Sequence, residues 1–158
     1  MKMRAAIAVP WLLATVLYCC TPSLSASAAS LTYPVIPLSI ETTHGTVALH
    51  VQVATTEAQQ EHGLMYRKHL ARDHGMLFAF STPQYVEFWM KGTLIPLDML
   101  FIDTTGVITK IVARAPPLSL TPIPSDSHTV KAVLELKGGT AAYYHIAKGD
   151  KVDYSITP

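Results

Sequence analysis

Only two cysteines occur in these 158 residues, side by side at Cys19 and Cys20. No thiol follows them, which excludes a disulfide framework and a cysteine nucleophile from the rest of the chain. An excess of one charge is also missing. Twelve Lys+Arg face 11 Asp+Glu, for a formal charge of +1. Nucleic-acid binders carry a marked basic excess to neutralise phosphates, so no nucleic-acid partner is expected. The apolar run from Ala5 to Tyr18 falls short of the roughly 20 residues needed to cross a bilayer. There is no Gly-x-Ser-x-Gly, no phosphate-cradling glycine loop and no His-Glu-x-x-His, so no reaction class is indicated by motif. What remains is an ordinary globular composition, 49% hydrophobic and 15% charged, which rules out a disordered or collagenous chain.

The N-terminal segment has the layout of an export signal. Lys2 and Arg4 precede the apolar run, and Ser25, Ala26, Ser27, Ala28 and Ala29 supply small residues for cleavage after Ala28 or Ala29. The expected organisation is a cleaved signal over residues 1–29, an extended linker over 30–37 and a single domain over 38–158. The domain would be periplasmic or extracellular, monomeric and without a membrane span. Lipidation at Cys19 or Cys20 is the weaker alternative, because bulky Tyr18 or Cys19 stands where a small residue is preferred.

Along the domain, Leu38, Ile40 and Thr42 alternate, and so do Val47, Leu49, Val51 and Val53 after Gly45, which predicts a hairpin. Thr56 with Gln59 forms a capping box that predicts a helix running through Leu70, weakened at Gly63 by about 1 kcal/mol relative to alanine. Strands are predicted over 76–80 and 85–91, and a hairpin from Leu97–Asp103 and Val107–Ala113 around Gly106. The prolines at 116, 117, 122 and 124 predict a long irregular loop over 115–128. A strand over 130–136, a short helix capped by Thr140 and a last strand over 151–156 complete the pattern. The fold class is read as α+β: a curved, mostly antiparallel sheet or partial β-barrel, with one main helix and one short helix.

Alternation in the Tyr85–Lys91 strand sets Val86, Phe88 and Met90 on one face and Glu87, Trp89 and Lys91 on the other. An acid, a flat aromatic and a cation on one face suit a small polar ligand. Asp98 lies in the apolar stretch Leu94–Ile102, where an unpaired carboxylate is costly. It is expected to tie the turn at 92–96, with Lys91, Arg67 or the turn's amides as partner. Glu135, between Leu134 and Leu136, is expected on a solvated outer face. His62 and His69 lack helical zinc-ligand spacing, and Met65, Met76, Met90 and Met99 read as core rather than cuprous ligands. No metal and no cofactor are assigned.

An ordered series of short motifs carries a family likeness. It comprises Gly63-Leu64-Met65, Gly75-Met76-Leu77-Phe78, Phe88-Trp89-Met90-Lys91, Ile95-Pro96-Leu97-Asp98, Ala115-Pro116-Pro117, Val133-Leu134-Glu135-Leu136 and Gly149-Asp150. The chain resembles the family catalogued as domain of unknown function 192. That resemblance implies a small β-rich α+β domain, often exported, with no settled activity. It also places Arg67, Trp89, Lys91 and Asp98 at family-pattern positions, which makes these four the candidate ligand-binding residues. Gly92 departs from the asparagine common in the family's Trp-Met-Lys-Asn-Thr motif. The leading expectation is a binding or accessory module for a small polar ligand or envelope component, its pocket formed by the Trp89 strand, the Pro96 turn and the proline-rich loop. An anionic ligand would be met by Lys91 and Arg67. The alternatives are an envelope hydrolase or other enzyme using Asp98 or Glu135 as acid or base, and a protein-partner adaptor using the loop over 115–128.

Overall fold

The computed structural model describes residues 31–126 and 129–156. The signal reading of residues 1–29 therefore lies outside the described residues, as do Ser127 and His128 of the proline-rich loop. Among the described residues the chain forms β1 (Val35–Thr42), β2 (Gly45–Ala54), α1 (Glu57–His62), β3 (His74–Gln84), β4 (Glu87–Phe88), β5 (Leu97–Ile102), β6 (Ile108–Ala115), β7 (Ile123–Pro124), β8 (Val130–Lys137), α2 (Thr140–Tyr143) and β9 (Lys151–Tyr154). Seven strands make one sheet in the order β6-β5-β8-β3-β2-β1-β9, and β4 pairs with β7 in a separate ribbon. The fold is mostly β, and both helices are short.

The hairpins follow from alternation. In β1 and β2, Leu38, Ile40, Val47, Leu49 and Val51 are buried while their neighbours face outward. The strand starts at Val35, so Pro37 of the expected linker pairs with His50 inside the sheet. Alternation disappears in β5, where all six residues are buried, as expected of a central strand covered on both faces. Leu100 and Ile102 of β5 join Leu134 and Leu136 of β8 in the inner core, with Ile40, Leu49, Val51 and Leu77. Met99 and Phe101 point the other way, into an outer core with Met76, Phe78, Met90, Val133 and Leu64.

The sheet curls into a half-barrel whose far edges touch at one corner. Val107 bridges to Lys151, Ile108 N–H donates to Asp150 O at 2.9 Å, and Val152 N–H donates to Gly106 O at 2.8 Å. Gly106 has φ +83, and a Cβ there would lie 2.8 Å from Val152 O, so the closure requires glycine.

The β2–β3 pair is parallel, so residues 55–73 must cross from one end of the sheet to the other. The capping box forms as expected: Gln59 N–H donates to Thr56 Oγ1 at 3.3 Å, and Thr56 N–H donates to Gln59 Oε1 at 3.0 Å. The helix nevertheless stops at His62 and does not reach Leu70. Gly63 takes φ +48 and its N–H closes the last turn on Gln59 O at 2.9 Å. There its lack of a side chain lets the backbone meet the Phe78 ring, 3.0 Å from where a Cβ would sit, and Leu64 drops into the outer core.

Candidate functional site

One depression of about 300 Å³ opens on the outer face, between the end of α1 and the segment 86–93. Its floor is Glu135 of β8, and Phe78 and Phe80 of β3 form one wall. Gln60, Glu61, His62, Gly63, Leu64 and Met65 contribute from α1 and the turn after it. Val86, Glu87, Phe88, Trp89, Lys91 and Thr93 close the other side. Gln60 fixes α1 to the sheet, its Nε2 donating to Ala79 O at 3.0 Å and Ala54 O at 3.3 Å.

Only two residues of the expected strand over 85–91 pair as β4, yet the predicted alternation stands. Met90 is buried, Val86 and Phe88 are half-buried, and Glu87, Trp89 and Lys91 are exposed. The proline-rich loop holds this segment from behind through Ser125 N–H to Val86 O at 2.9 Å, Met90 N–H to Ser119 O at 2.9 Å and Leu118 N–H to Thr93 O at 3.1 Å. Contrary to expectation, neither Pro96 nor any described residue of that loop lines the depression; the α1 end takes their place. Gly92 has φ +68 and its carbonyl accepts from Tyr66 N–H at 2.9 Å. That left-handed geometry is one that asparagine also tolerates, so the backbone of the turn is compatible with either residue.

Trp89 and Lys91 therefore lie together at the rim. The indole is 55% exposed, and the Lys91 ammonium stands 5.4 Å from the centre of its ring. Arg67 and Asp98 are placed elsewhere. The Arg67 guanidinium donates to Gln52 Oε1 of β2. It also stands near Tyr33: burial pushes the Tyr33 hydroxyl up, and the Arg67 charge partly opposes that shift.

Asp98 is fully buried on the inner face, and it ties a different segment from the one expected. Its Oδ1 accepts from Arg114 N–H at 2.8 Å and Gly139 N–H at 2.9 Å, and its Oδ2 accepts from Ala141 N–H at 2.8 Å. The carboxylate thus supplies the N-terminal cap of α2 from another strand. Thr140, expected to cap that helix, instead has a buried hydroxyl with no partner among the described residues.

Glu135 overturns its expectation most fully. It does face away from Leu134 and Leu136, but that side of the sheet is the outer core, and the residue is only 4% exposed. Its cross-strand neighbours are Met76 on β3 and Met99 on β5, neither of which can compensate a charge. No hydrogen bond or ion pair with another described residue satisfies the carboxyl. Burial alone pushes it up from 4.5 to about 8, so it is protonated at neutral pH. Such a group can donate or accept a hydrogen bond, and it ionises when a cation arrives beside it. A central strand position whose two faces are both covered is the sequence signal that could have revealed it. Three carboxyl groups, those of Glu61, Glu87 and Glu135, line the depression against one lysine. Among the described residues no group of three or more His, Cys, Asp or Glu side chains could hold a metal ion.

With this geometry in place, comparison with known proteins assigns the lineage. The model of the DUF192 family, described as "Uncharacterized ACR", matches residues 39–154. The chain belongs to the DUF192 family. Among solved structures, this DUF192 domain is similar to a protein from Sinorhizobium meliloti 1021 described as a candidate transcription regulator. The two share 41% identity and a TM-score of 0.76 over 78% of this chain and 96% of that one. It is also similar to a protein of unknown function from Novosphingobium aromaticivorans DSM 12444, at 39% identity and a TM-score of 0.72, over 75% of this chain and 84% of that one. No curated protein matches the chain.

Proposed function

We propose that this DUF192 domain is an exported binding module for a small polar ligand or envelope component, held between Glu135 and Trp89. One observation carries the reading: a carboxyl buried to 4% exposure and without a partner among the described residues forms the floor of a depression that opens to solvent. Buried polar groups are nearly always satisfied by protein or by ordered water, so a carboxyl that meets no described residue and opens onto a depression is suited to a partner that comes and goes. The export signal read in residues 1–29 supports the exported location. No helix among the described residues is long and apolar enough to cross a membrane. The near balance of 12 Lys+Arg and 11 Asp+Glu gives no support for carrying a regulator's role over from the Sinorhizobium relative.

The test uses the indole at the rim. In a Trp11→Phe background Trp89 is the sole tryptophan, and its emission is recorded against a library of small polar compounds. Binding shifts the emission, and Glu135→Leu abolishes the shift while circular dichroism stays unchanged. A response that survives in Glu135→Leu, or a library that produces none, refutes the reading.

The raised Glu135 carboxyl also favours a second reading, an enzyme with Glu135 as general acid or base, since a group titrating near neutrality suits either role. Asp98 does not serve in it, because three backbone donors already occupy its oxygens. Turnover of an envelope substrate that is lost in Glu135→Gln with thermal stability retained would select this reading over simple binding.

A further inference from the structure

Resting on the reading of the depression as a binding site, we infer that its ligand is a primary alkylammonium ion. The ammonium meets the Glu135 carboxylate, and the alkyl chain lies along Phe78, Phe80, Phe88 and Trp89.

Four observations converge on this ligand. First, the floor carboxyl lacks any positive partner among the described residues, and its flanking neighbours are the thioethers Met76 and Met99. Neutral while it stands alone, such a carboxyl ionises in a buried setting only beside a counter-charge, and a cation from outside would supply one. Second, the expected anion clamp is not assembled, because Arg67 reaches Gln52 instead. The ionisable groups lining the depression besides Glu135 are then Glu61 and His62 from the α1 end and Glu87 and Lys91 from the rim segment, so its carboxyl groups outnumber its one lysine. Third, aromatic rings supply the walls, and their π faces attract cations. The Lys91 ammonium over the Trp89 ring at 5.4 Å shows that the rim already accepts a primary ammonium. Fourth, a volume of about 300 Å³ is at the small end for ligand pockets and suits one short chain. A primary ammonium carries three N–H donors for the carboxylate oxygens, whereas a quaternary one carries none.

Binding couples to a proton. With the floor carboxyl held up at about 8, entry of the cation at pH 7 transfers the Glu135 proton to solvent, about 0.9 proton per site. Affinity therefore rises about tenfold per pH unit up to roughly pH 8 and then levels off.

The experiment is calorimetric titration of the full chain with n-butylamine, n-butanol, butyrate and tetramethylammonium at pH 6, 7 and 8.5. Two buffers of different ionisation enthalpy count the protons. Butylamine is expected to bind at least tenfold more tightly than the other three and to release about 0.9 proton at pH 7. Glu135→Gln weakens butylamine at least tenfold and removes the proton release, whereas Lys91→Ala leaves its affinity equal or higher. An N-acetylated peptide carrying one lysine forms a further arm: binding of the peptide as well as butylamine points to a lysine side chain as the source, and binding of butylamine alone points to a free amine. Butyrate or butanol binding as tightly as butylamine overturns the ammonium assignment while keeping the site. Silence of all the probes, together with a silent compound library, overturns the site itself.

Discussion

Replacing Glu135 with glutamine should alter how the stability of this domain depends on pH, because the floor carboxyl is displaced from 4.5 to about 8 by burial alone. In the unfolded chain Glu135 loses its proton near the ordinary value, while in the folded chain it keeps the proton until about pH 8. Between those limits the unfolded state binds fewer protons, so stability falls as pH rises. Each pH unit in that window is worth about 1.4 kcal/mol. The loss attributable to Glu135 is then about 3 kcal/mol at pH 7 and about 5 kcal/mol above pH 8. Below about pH 4.5 it vanishes, since both states are protonated. Glu135→Gln preserves shape and removes the titration. Urea denaturation of both proteins from pH 4 to pH 8.5 isolates this group, because every other titrating residue is common to the pair. The variant's advantage should grow by about 3 kcal/mol between pH 4.5 and pH 7. A difference that stays constant within about 1 kcal/mol would show that the carboxyl is not both desolvated and unpaired, and the binding-site reading would lose its basis.

Three further substitutions test the frame around the site. Asp98→Ala leaves the Arg114, Gly139 and Ala141 N–H donors without an acceptor and should cost about 4 kcal/mol or more, measured by urea unfolding. Faster hydrogen exchange at Gly139 and Ala141 than elsewhere would localise the effect, and a loss below about 1 kcal/mol would refute the capping role. Thr140→Val removes a buried hydroxyl without a partner among the described residues, so the melting temperature should stay level or rise, by up to about 1 kcal/mol in stability; a clear fall would reveal a partner. Gly63→Ala forces a Cβ against Phe78 at φ +48 and should cost about 1–2 kcal/mol in thermal unfolding, whereas no change would mean that the turn after α1 yields.

The elements legible in the sequence are those whose order is local. The β1–β2 hairpin could be read because alternation and a short turn specify it within a few residues, and the β5–β6 hairpin because a short glycine turn joins two apolar runs. The Trp89 and Lys91 face was readable for the same reason. Where tertiary contacts decide, pattern reading overshoots. Helix formers continue past Gly63, but burial of Leu64 and the Phe78 ring draws the chain off the helical path. Likewise β4 and β7 span two residues each, and they exist because the proline-rich loop and the Trp89 segment satisfy one another's backbone groups. The cap of α2 comes from Asp98, 41 residues before Gly139, a partnership that no local motif announces.

Asp98 and Glu135 show why the site itself was the hardest part to read. Both are carboxylates in apolar strands, and both are buried. They lie on neighbouring strands one register step apart, Asp98 opposite Leu136 and Met99 opposite Glu135, so they point to opposite faces of the same sheet. On the inner face the chain folds back and delivers three N–H donors to Asp98, which makes it a structural anchor. On the outer face, the end of α1 and the Trp89 segment form irregular cover that meets around Glu135 without closing over it. Alternation tells which face a residue occupies, but not whether that face is covered, or by what. A buried acid supplied with internal donors is part of the frame. An acid of equal burial that meets no donor among the described residues, at the base of an opening, is where a partner from outside can supply what they do not.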